Sequence, residues 1–273
     1  MVLSEYISNL KIKVYGGNYT ACPPSWAGSN VSLALHKLYF PLEGSAQITA
    51  GGRTYHLKAR QAMLIPKGLT HSFAMTEEQY LVKYWLHFTA LSDGNDLFEH
   101  FHDITVWDFN DEKDFSEICG YFRRLFLYEN AVSENEASIG NALAHQAALF
   151  SIIGILFERS GHNHMQELSM HSTKPASIVE YIENHLNEPI KVEELARLLY
   201  MHPTAFIRYF KHHFGMPPLK YIKCLRLERS KHYLETTSLP ISEIAELTGF
   251  GDSSHLSRDF RSTYGISPGQ ARK

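Results

Sequence analysis

The stretch GFGDSSHLSRDFRSTYGISP, from Gly249 to Pro268, repeats in outline a stretch about fifty residues upstream, YMHPTAFIRYFKHHFGMPP, from Tyr200 to Pro218. At an offset of 50 the following positions coincide: Phe206 with Leu256, Arg208 with Arg258, Phe210 with Phe260, Phe214 with Tyr264, Gly215 with Gly265 and Pro218 with Pro268. Further N-terminally the offset becomes 49. This one-residue difference in offset falls in a turn, where copies of a helical unit tolerate a change in length. Two copies are too few for a solenoid. The repeat therefore predicts a duplicated small module.

Each copy has the pattern of a short helix, a tight turn and a second helix. In the second helix Phe206 and Phe210 are four residues apart, as are their counterparts in the other copy, so both face the core. Pro203 suits the first position of the helix in one copy, and Asp252 suits the N-cap in the other. The opposite face is polar and basic. This pattern predicts a helix-turn-helix unit, whose second helix lies in the major groove of DNA.

The predicted DNA contacts lie on that polar face. They are Thr204, Ile207, Arg208 and Lys211 in the first copy, and Ser253, Ser254, Ser257, Arg258 and Arg261 in the second. We expect Arg208 and Arg258 to read bases, since arginine bonds both acceptors of a guanine, and Lys211 and Arg261 to meet phosphates. The alternative, for either helix taken alone, is that its arginine is an ordinary solvated side chain. The presence of arginine at the same place in both copies argues against this alternative. A joining helix of roughly 16 residues, about 24 Å long, would help to place the two recognition helices about one DNA turn, ~34 Å, apart.

Residues 176–272 resemble the DNA-binding domain of the AraC/XylS family of bacterial transcription regulators. The segment ISEIAELTGFGDSSHLSRDFRSTYGISPGQAR, which ends at Arg272, follows the family signature from end to end. The resemblance implies seven helices, with helix-turn-helix units at about 192–213 and 241–263 and a joining helix between them. It also implies double-stranded DNA as a partner, and RNA polymerase as a further partner of an activator. Activation and repression are left open.

The chain has strand character to about residue 90, with short alternating runs punctuated by glycine and proline. Gly51-Gly52 predicts a tight hairpin turn. The segment PKGLTH, Pro66 to His71, resembles part of the second motif of the cupin fold, with Arg60 where that motif usually has glycine. No H-x-H pattern of the first motif occurs near His36. The resemblance is therefore to a metal-free, sugar-binding front domain, and neither a metal nor another cofactor is expected.

A small-molecule effector, a sugar or related metabolite, is expected in the mouth of this barrel. Trp85 offers an apolar face, and strand alternation places Lys83 and His87 on the same side. A purely structural Trp85 is the alternative. The full set of candidates is Trp85, Lys83, His87, His71, Phe73, Tyr39 and His36. His36 and Tyr39 are three residues apart, so on a regular strand they face opposite ways.

Residues 111–160 have helical periodicity, and the run Ala147–Phe157 is apolar nearly all round. We expect a homodimer formed through this pair of helices, because a monomer rarely keeps a large apolar patch exposed. The alternative is that both helices cap the barrel of their own chain. Ser160–Pro175 is polar and rich in histidine. It is interpreted as a linker, and a metal site at its histidines is the less favoured interpretation.

The composition of the 273 residues, 44% hydrophobic and 20% charged, is typical of a soluble globular protein. No secretion signal is visible, the longest apolar run is too short to span a membrane, and three scattered cysteines form no disulfide framework. A cytoplasmic protein without a membrane partner is expected. From Lys174 onward, 14 lysines and arginines face 11 acidic residues, whereas the preceding part has 12 and 18. The basic excess of the last part permits DNA binding.

The sequence thus predicts an α+β multidomain protein. Its expected parts are a cupin-like effector-binding β domain (1–110), a helical dimerisation segment (111–160), a linker (161–175) and an all-α DNA-binding domain (176–273). The expected function is that of an effector-controlled, dimeric transcription regulator and not of an enzyme. Two alternatives stay open: a metal-dependent cupin enzyme fused to a DNA-binding tail, and a regulator without a small-molecule effector.

Overall fold

The structure, a computed structural model, describes residues 3–76, 80–92, 95–133, 138–160 and 176–272. Strands fill the N-terminal part and helices the C-terminal part, which confirms the predicted α+β class. The strands are β1 (Leu10–Cys22), β2 (Ala27–Val31), β3 (His36–Ala50), β4 (Arg53–Lys58), β5 (Gln61–Ile65), β6 (His71–Met75), β7 (Leu81–Ser92), β8 (Asn95–Asp96) and β9 (Thr105–Asp108). The helices are α1 (Leu3–Ser8), α2 (Glu112–Ser133), α3 (Ile139–Ser160), α4 (Ala176–Asn184), α5 (Val192–Leu198), α6 (Pro203–Phe214), α7 (Pro218–Thr236), α8 (Ile241–Leu247), α9 (Ser253–Tyr264) and α10 (Pro268–Ala271). The segment interpreted as a linker, 161–175, lies outside the described residues.

All strand pairs are antiparallel, and the long β3 belongs to two sheets. The first half of β3 lies in a sheet with the order β1-β7-β3-β5-β9, and its second half pairs with β4 and β6. Ala50 pairs with Arg53 across Gly51 and Gly52, which both have positive φ. The predicted two-residue glycine turn is therefore confirmed, and it starts β4 in register with β3.

Strand β7 has one face toward the interior of the β domain and one toward the helices. Leu81 and Trp85 belong to the interior apolar cluster, whereas Tyr84, Leu86 and Phe88 belong to the cluster that includes α2 and α3. Because side chains alternate along a strand, a single strand supplies both layers. This is why the central strand is buried on both sides almost throughout.

The pair of helices α2 and α3 covers the outer face of the β1–β7–β3 sheet. Phe122 stacks on Tyr84 with ring centroids 5.0 Å apart, and Ile152 and Ile153 of α3 are buried in the same cluster. By length and composition α3 could cross a membrane, since its most apolar window has a mean hydropathy of 1.5. One such helix is weak evidence for a membrane span, because the core helices of soluble proteins pass the same test.

Arg60, which stands where the cupin motif usually has glycine, has a φ of 64°. This is the left-handed region that glycine favours, so the backbone of the motif is kept although the residue differs. The side chain has its own contacts: the guanidinium donates to Phe109 O and to Glu112, and it lies 4.3 Å from the centroid of the Phe115 ring. Arg60 thus connects the β5 turn to the start of α2.

The described part of the C-terminal domain has seven helices, α4 to α10, as the family resemblance implied. Helices α6 and α9 each have 12 residues and each end at a glycine in the left-handed conformation, Gly215 with φ 75° and Gly265 with φ 77°. Pro203 is the first residue of α6, and the Asp252 carboxylate accepts a hydrogen bond from His255 N–H at 2.7 Å. Both copies of the repeat therefore end at the same stop signal, while proline starts one helix and an aspartate cap starts the other.

The two domains pack directly on each other. Leu33, Ala34 and Leu35, between β2 and β3, are buried in one apolar cluster with residues of α4 to α7, among them Phe210. Helix α7, with 19 residues, runs alongside β1. The first helix-turn-helix unit is thus seated on the β domain through apolar contacts.

Candidate functional site

The first recognition helix, α6, presents the residues that the sequence singled out on its exposed face. Thr204, Ile207, Arg208 and Lys211 are all exposed, whereas Phe206 and Phe210 are fully buried. Among the described residues, neither Arg208 nor Lys211 forms an ion pair. Their charges are therefore free to meet DNA.

The second recognition helix, α9, has a smaller exposed face than predicted. Ser254, Arg258 and Arg261 are exposed, but Ser253 and Ser257 are half-buried. Lys223 of α7 lies 3.4 Å from the Asp259 carboxylate, so part of α9 is occupied by the joining helix. The outward groups of α9 are mainly its two arginines.

The candidate effector site is a cavity of about 290 Å³ at the boundary between the two domains. Its volume is at the lower end of the roughly 300–1,000 Å³ of small-molecule sites. The β domain contributes one wall, with Thr20, Cys22, Pro23, Ser25, Trp26, Ala27, Val31, Lys37, Tyr39, Phe73, Lys83, Trp85 and His87. Helices α7, α9 and α10 and the turn between α9 and α10 form the other wall, with Lys231, Glu235, Phe260, Thr263, Tyr264, Ile266, Gln270 and Ala271. A ligand in this cavity would touch both domains.

Three lysines border the cavity. Lys37 and Lys83 are each 3% exposed, and among the described residues neither forms an ion pair with a carboxylate. Lys231 lies 3.8 Å from the Glu235 carboxylate, one turn later on α7. Burial, assisted by repulsion from neighbouring lysines, lowers the pKa of Lys37 and of Lys83 to about 7 in each case. The site therefore holds more positive than negative charge when its lysines are protonated.

Aromatic rings, rather than carboxylates, surround the buried ammonium groups. Lys83 Nζ lies 3.8 Å from the Trp26 ring centroid and 3.7 Å from that of Tyr39. Lys231 Nζ lies 3.7 Å from the Trp85 ring centroid, across the domain boundary. Cation–π attraction supports a buried charge less fully than an anion does. One face of Trp85 is thus covered by Lys231, while its indole N–H donates to Thr20 at 3.0 Å.

A chain of hydrogen bonds beside the cavity joins the β domain to α9. The fully buried Glu228 of α7 accepts from His87 Nδ1 at 2.7 Å and from the Tyr264 hydroxyl at 2.6 Å. Burial opposes the charge of Glu228, but His87, Lys231 and Tyr264 outweigh it and lower its pKa to about 2. Burial lowers the pKa of His87 to about 4, despite the attraction of Glu228. An ionised carboxylate with two neutral donors is therefore the expected state near neutral pH.

The structure brings together five of the seven effector-site candidates: Trp85, Lys83, His87, Phe73 and Tyr39 all line the cavity. His71 lies behind the lining, where its Nδ1 donates to Leu69 O at 2.9 Å and its Nε2 accepts from Lys37 at 2.9 Å. His71 therefore acts on the cavity through Lys37.

His36, the remaining candidate, does not line this cavity. His36 lies on the opposite face of β3 from Tyr39, as their spacing requires, and its Nε2 donates to Asp96 at 3.0 Å. Burial opposes the charge of Asp96, but His36 and Lys67 lower its pKa well below the ordinary value. His36 thus belongs to a buried ion-pair cluster outside the lining.

Sequence reasoning missed Lys37, Trp26 and the whole wall formed by the DNA-binding domain. Strand alternation could have identified Lys37 from the sequence, because Lys37 stands two residues before Tyr39 on the same face of β3. No sequence pattern identifies Lys231 or Tyr264 as lining residues, since nothing in the sequence of α7 or α9 indicates that these helices pack against the β domain. Among the described residues, no group of three or more His, Cys, Asp or Glu side chains is placed to hold a metal ion.

Two family models match the chain in separate parts. The model described as an AraC-like ligand binding domain matches residues 36–153, and the model described as a helix-turn-helix domain matches residues 195–273. The first match contains most of the β domain together with α2 and most of α3. The second contains both recognition helices.

Curated relatives include several transcription regulators. The chain is 26% identical to the Msm operon regulatory protein of Streptococcus mutans, over 86% of this chain and 83% of that protein. It is 29% identical to the HTH-type transcriptional activator RhaS of Enterobacter sp. (strain 638), over 55% of this chain and 53% of the relative. Against RhaS the match thus spans about half of each protein.

Solved structures of similar fold include ToxT from Vibrio cholerae. The unsaturated fatty acid bound wild-type ToxT has a TM-score of 0.61 with 14% identity, over 96% of this chain and 94% of that one. ToxT bound to (E)-4-(8-methylnaphthalen-1-yl)but-3-enoic acid has a TM-score of 0.65 with 13% identity, over 94% and 98%. At such identity the likeness concerns the fold alone.

Proposed function

Because the chain belongs to the AraC/XylS family of transcription regulators, with an effector-binding β domain and a helix-turn-helix DNA-binding domain, we propose that a small anion is its effector. The anion binds in the cavity between the domains and controls how the two recognition helices meet DNA. The relatives with curated names are transcription regulators, which supports a regulatory rather than an enzymatic function.

The observation that carries this proposal is the pair of buried lysines that have no anionic partner in the part of the chain that the structure describes. Lys37 and Lys83 are each 3% exposed and line the same cavity. Among the described residues, Lys231 forms an ion pair only with Glu235. A buried ammonium group is costly unless a negative charge compensates it. A carboxylate or phosphate placed among the three lysines supplies that charge.

The position of the cavity between the two domains connects binding of the anion to the DNA-binding domain. Lys37 and Lys83 belong to the β domain, whereas Lys231 belongs to α7 and Tyr264 to α9. An anion that contacts lysines from both walls strengthens the contact between the domains. By linkage, it favours the arrangement seen in the structure over any arrangement in which α9 leaves the β domain.

DNA binding is proposed to use both recognition helices. Arg208 on α6 and Arg258 on α9 are exposed at equivalent places and read bases, while Lys211 and Arg261 contact phosphates. The half-buried Ser253 and Ser257 leave α9 with fewer base contacts than α6. The first helix-turn-helix unit is accordingly proposed as the more selective one.

A homodimer is proposed to form through the exposed side of α3. Ile139 and Leu143 are 82% and 67% exposed, and Gly140, Ala144, Ala147 and Gly154 continue an exposed strip of small and apolar residues. The opposite side of α3 packs on the β domain, so the helix caps its own chain and also offers a surface to a second one. RNA polymerase is proposed as a further partner of an activating complex.

The test of the effector proposal compares anions with a neutral sugar. Hexanoate, gluconate and glucose 6-phosphate are titrated into the full-length protein by calorimetry, beside glucose as a representative neutral sugar. We expect at least one anion to bind, and Lys83→Met and Lys37→Met to lose that binding while Lys113→Met, at an exposed site on α2, keeps it. DNA affinity, measured by anisotropy on a duplex selected from a random pool, should change when the anion is added. Binding of glucose alone, undiminished in both lysine variants, would disprove the proposal.

A further inference from the structure

One nitrogen of the buried His87 has no hydrogen-bond partner among the residues that the structure describes. His87 is 4% exposed, and its Nδ1 lies 2.7 Å from a carboxylate oxygen of Glu228, so Nδ1 carries the proton that is donated. The lowered pKa of His87, about 4, agrees with a neutral ring, whose other nitrogen then has a lone pair. Among the described residues, no group donates a hydrogen bond to Nε2.

His87 is one of the residues that line the cavity, and its Nε2 is itself buried. Glu228, which accepts from Nδ1, is not part of the lining. The two ring nitrogens point in different directions, so Nε2 is turned away from Glu228. Buried acceptors without a donor are rare in native proteins, and each of them calls for an explanation.

We infer that His87 selects the effector by accepting a hydrogen bond at Nε2 from a hydroxyl group of the bound anion. This inference rests on the proposed function, because Lys37, Lys83 and Lys231 supply the contacts of the anionic group. The ligand class is then a polyhydroxylated anion, a sugar acid or a sugar phosphate. An unsubstituted alkyl carboxylate has the charge but no donor for Nε2.

The remaining polar groups of the lining agree with a ligand that has several hydroxyls. They include Thr20, Ser25, Thr263 and Gln270, and the same lining has several aromatic side chains. Such a mixture of hydrogen-bonding groups and flat apolar faces suits a sugar backbone better than an alkyl chain.

The same hydrogen bond connects the effector to the second recognition helix. A hydroxyl that donates to Nε2 favours the neutral ring with its proton on Nδ1, and this is the tautomer that donates to Glu228. Glu228 also accepts from Tyr264 in the last turn of α9. A hydroxylated anion therefore supports the docking of α9, whereas an anion that places an acceptor at Nε2 opposes it.

The experiment compares two acids of equal length on the full-length protein. Gluconate and hexanoate each have six carbons and one carboxylate, and only gluconate has hydroxyls; glucose 6-phosphate distinguishes a phosphate from a carboxylate. By calorimetry we expect gluconate or glucose 6-phosphate to bind at least about tenfold more tightly than hexanoate, the effect of one buried hydrogen bond. In protein with ¹⁵N-labelled histidine, the Nε2 resonance of His87 should move with the hydroxylated anion and not with hexanoate.

Variants at His87 separate selection from folding. His87→Leu removes the acceptor, so the ratio of the affinity for the hydroxylated anion to that for hexanoate should fall to about one, whatever the change in hexanoate affinity itself. His87→Gln retains an acceptor oxygen and should keep part of the preference. If His87→Leu does not fold, the resonance shift and His87→Gln still decide the matter.

Each outcome decides a different statement. Equal binding of hexanoate and the hydroxylated anions, or a preference that survives in His87→Leu, overturns the role of His87 but leaves the anionic effector standing. Failure of all three anions to bind at millimolar concentration overturns the anionic effector and this inference together.

Discussion

His87 Nδ1 and the carboxylate of Glu228 are 2.7 Å apart across the boundary between the two domains, although 141 residues separate them in the chain. The second oxygen of Glu228 accepts from the Tyr264 hydroxyl at 2.6 Å. One buried carboxylate thus joins β7, the joining helix α7 and the recognition helix α9. Breaking this contact leaves a buried charge without its donors, which is costly for a folded protein.

Acid should weaken the protein through this pair. Between pH 6.5, the ordinary pKa of histidine, and about 4, the unfolded chain takes up a proton that folded His87 does not, so stability falls as pH falls. Between 4.5 and about 2 the same holds for Glu228, whose folded pKa is lowered. We expect the thermal midpoint to decline more steeply between pH 6.5 and 4 in the wild type than in His87→Gln. Parallel declines in the two proteins would mean that folding does not lower the pKa of His87.

Anion binding should depend on pH through the buried lysines. In the free protein the pKa values of Lys37 and Lys83 are about 7, and a bound anion raises them toward the ordinary value. Above pH 7 binding must therefore take up protons, so affinity should fall as pH rises toward 10.5. Calorimetry at pH 8 in two buffers of different ionisation enthalpy measures this uptake, and Lys83→Met should reduce it. An affinity that stays level from pH 6 to 9 would show lysines that are charged throughout.

Arg208→Ala should cost about 1–3 kcal/mol of operator binding and relax the preference at one base position, because the arginine reads a base edge. Lys211→Ala should weaken binding to all sequences and reduce the salt slope by about one unit, because it removes one phosphate contact. Titrations by gel shift at several salt concentrations check both, with Lys113→Ala on the exposed face of α2 as the control. An unchanged affinity in Arg208→Ala would place another face of α6 toward DNA.

Leu143→Asp should split the proposed dimer without unfolding the chain, since 67% of this side chain is exposed on α3. Ile153→Asp is the contrasting change: Ile153 is 5% exposed within the core of the β domain, so it should unfold that domain by an amount typical of a buried unpaired charge. Phe150 is only partly buried against the same core. Sedimentation and thermal melting separate the two effects, and a Leu143→Asp protein that still sediments as a dimer would move the interface elsewhere.

The two repeats should respond differently at one matching turn position. Tyr200 and Gly249 both have positive φ, 53° and 77°, but Tyr200 is 99% exposed whereas a Cβ at Gly249 would lie 2.4 Å from Leu186 O. Gly249→Ala should therefore destabilise the protein by more than about 1–2 kcal/mol, the cost of the left-handed conformation alone. Tyr200→Gly should be neutral or slightly stabilising. Denaturant unfolding of both variants checks this, and equal effects would contradict the contact.

Local patterns in the sequence were enough to predict the two helix-turn-helix units. The spacing of Phe206 and Phe210, the cap at Asp252 and the stops at Gly215 and Gly265 are local signals, because a helix depends on neighbours three or four residues away and on its ends. For the same reason, strand alternation was sufficient to place Lys83, Trp85 and His87 on one face of β7. The exposed surface of α6 follows directly from these patterns.

What stands opposite the face of β7 that contains Lys83, Trp85 and His87 follows only from the packing of the two domains. Lys231, Glu228 and Tyr264 come from helices far along the chain, and their own periodicity indicates only that they are helical. Whether such a side chain meets a β domain, solvent or a ligand depends on how two domains pack, which is a sum of many weak contacts between distant segments. For this reason a strand pattern sufficed to find half of the cavity, while the half that couples it to DNA required the folded chain.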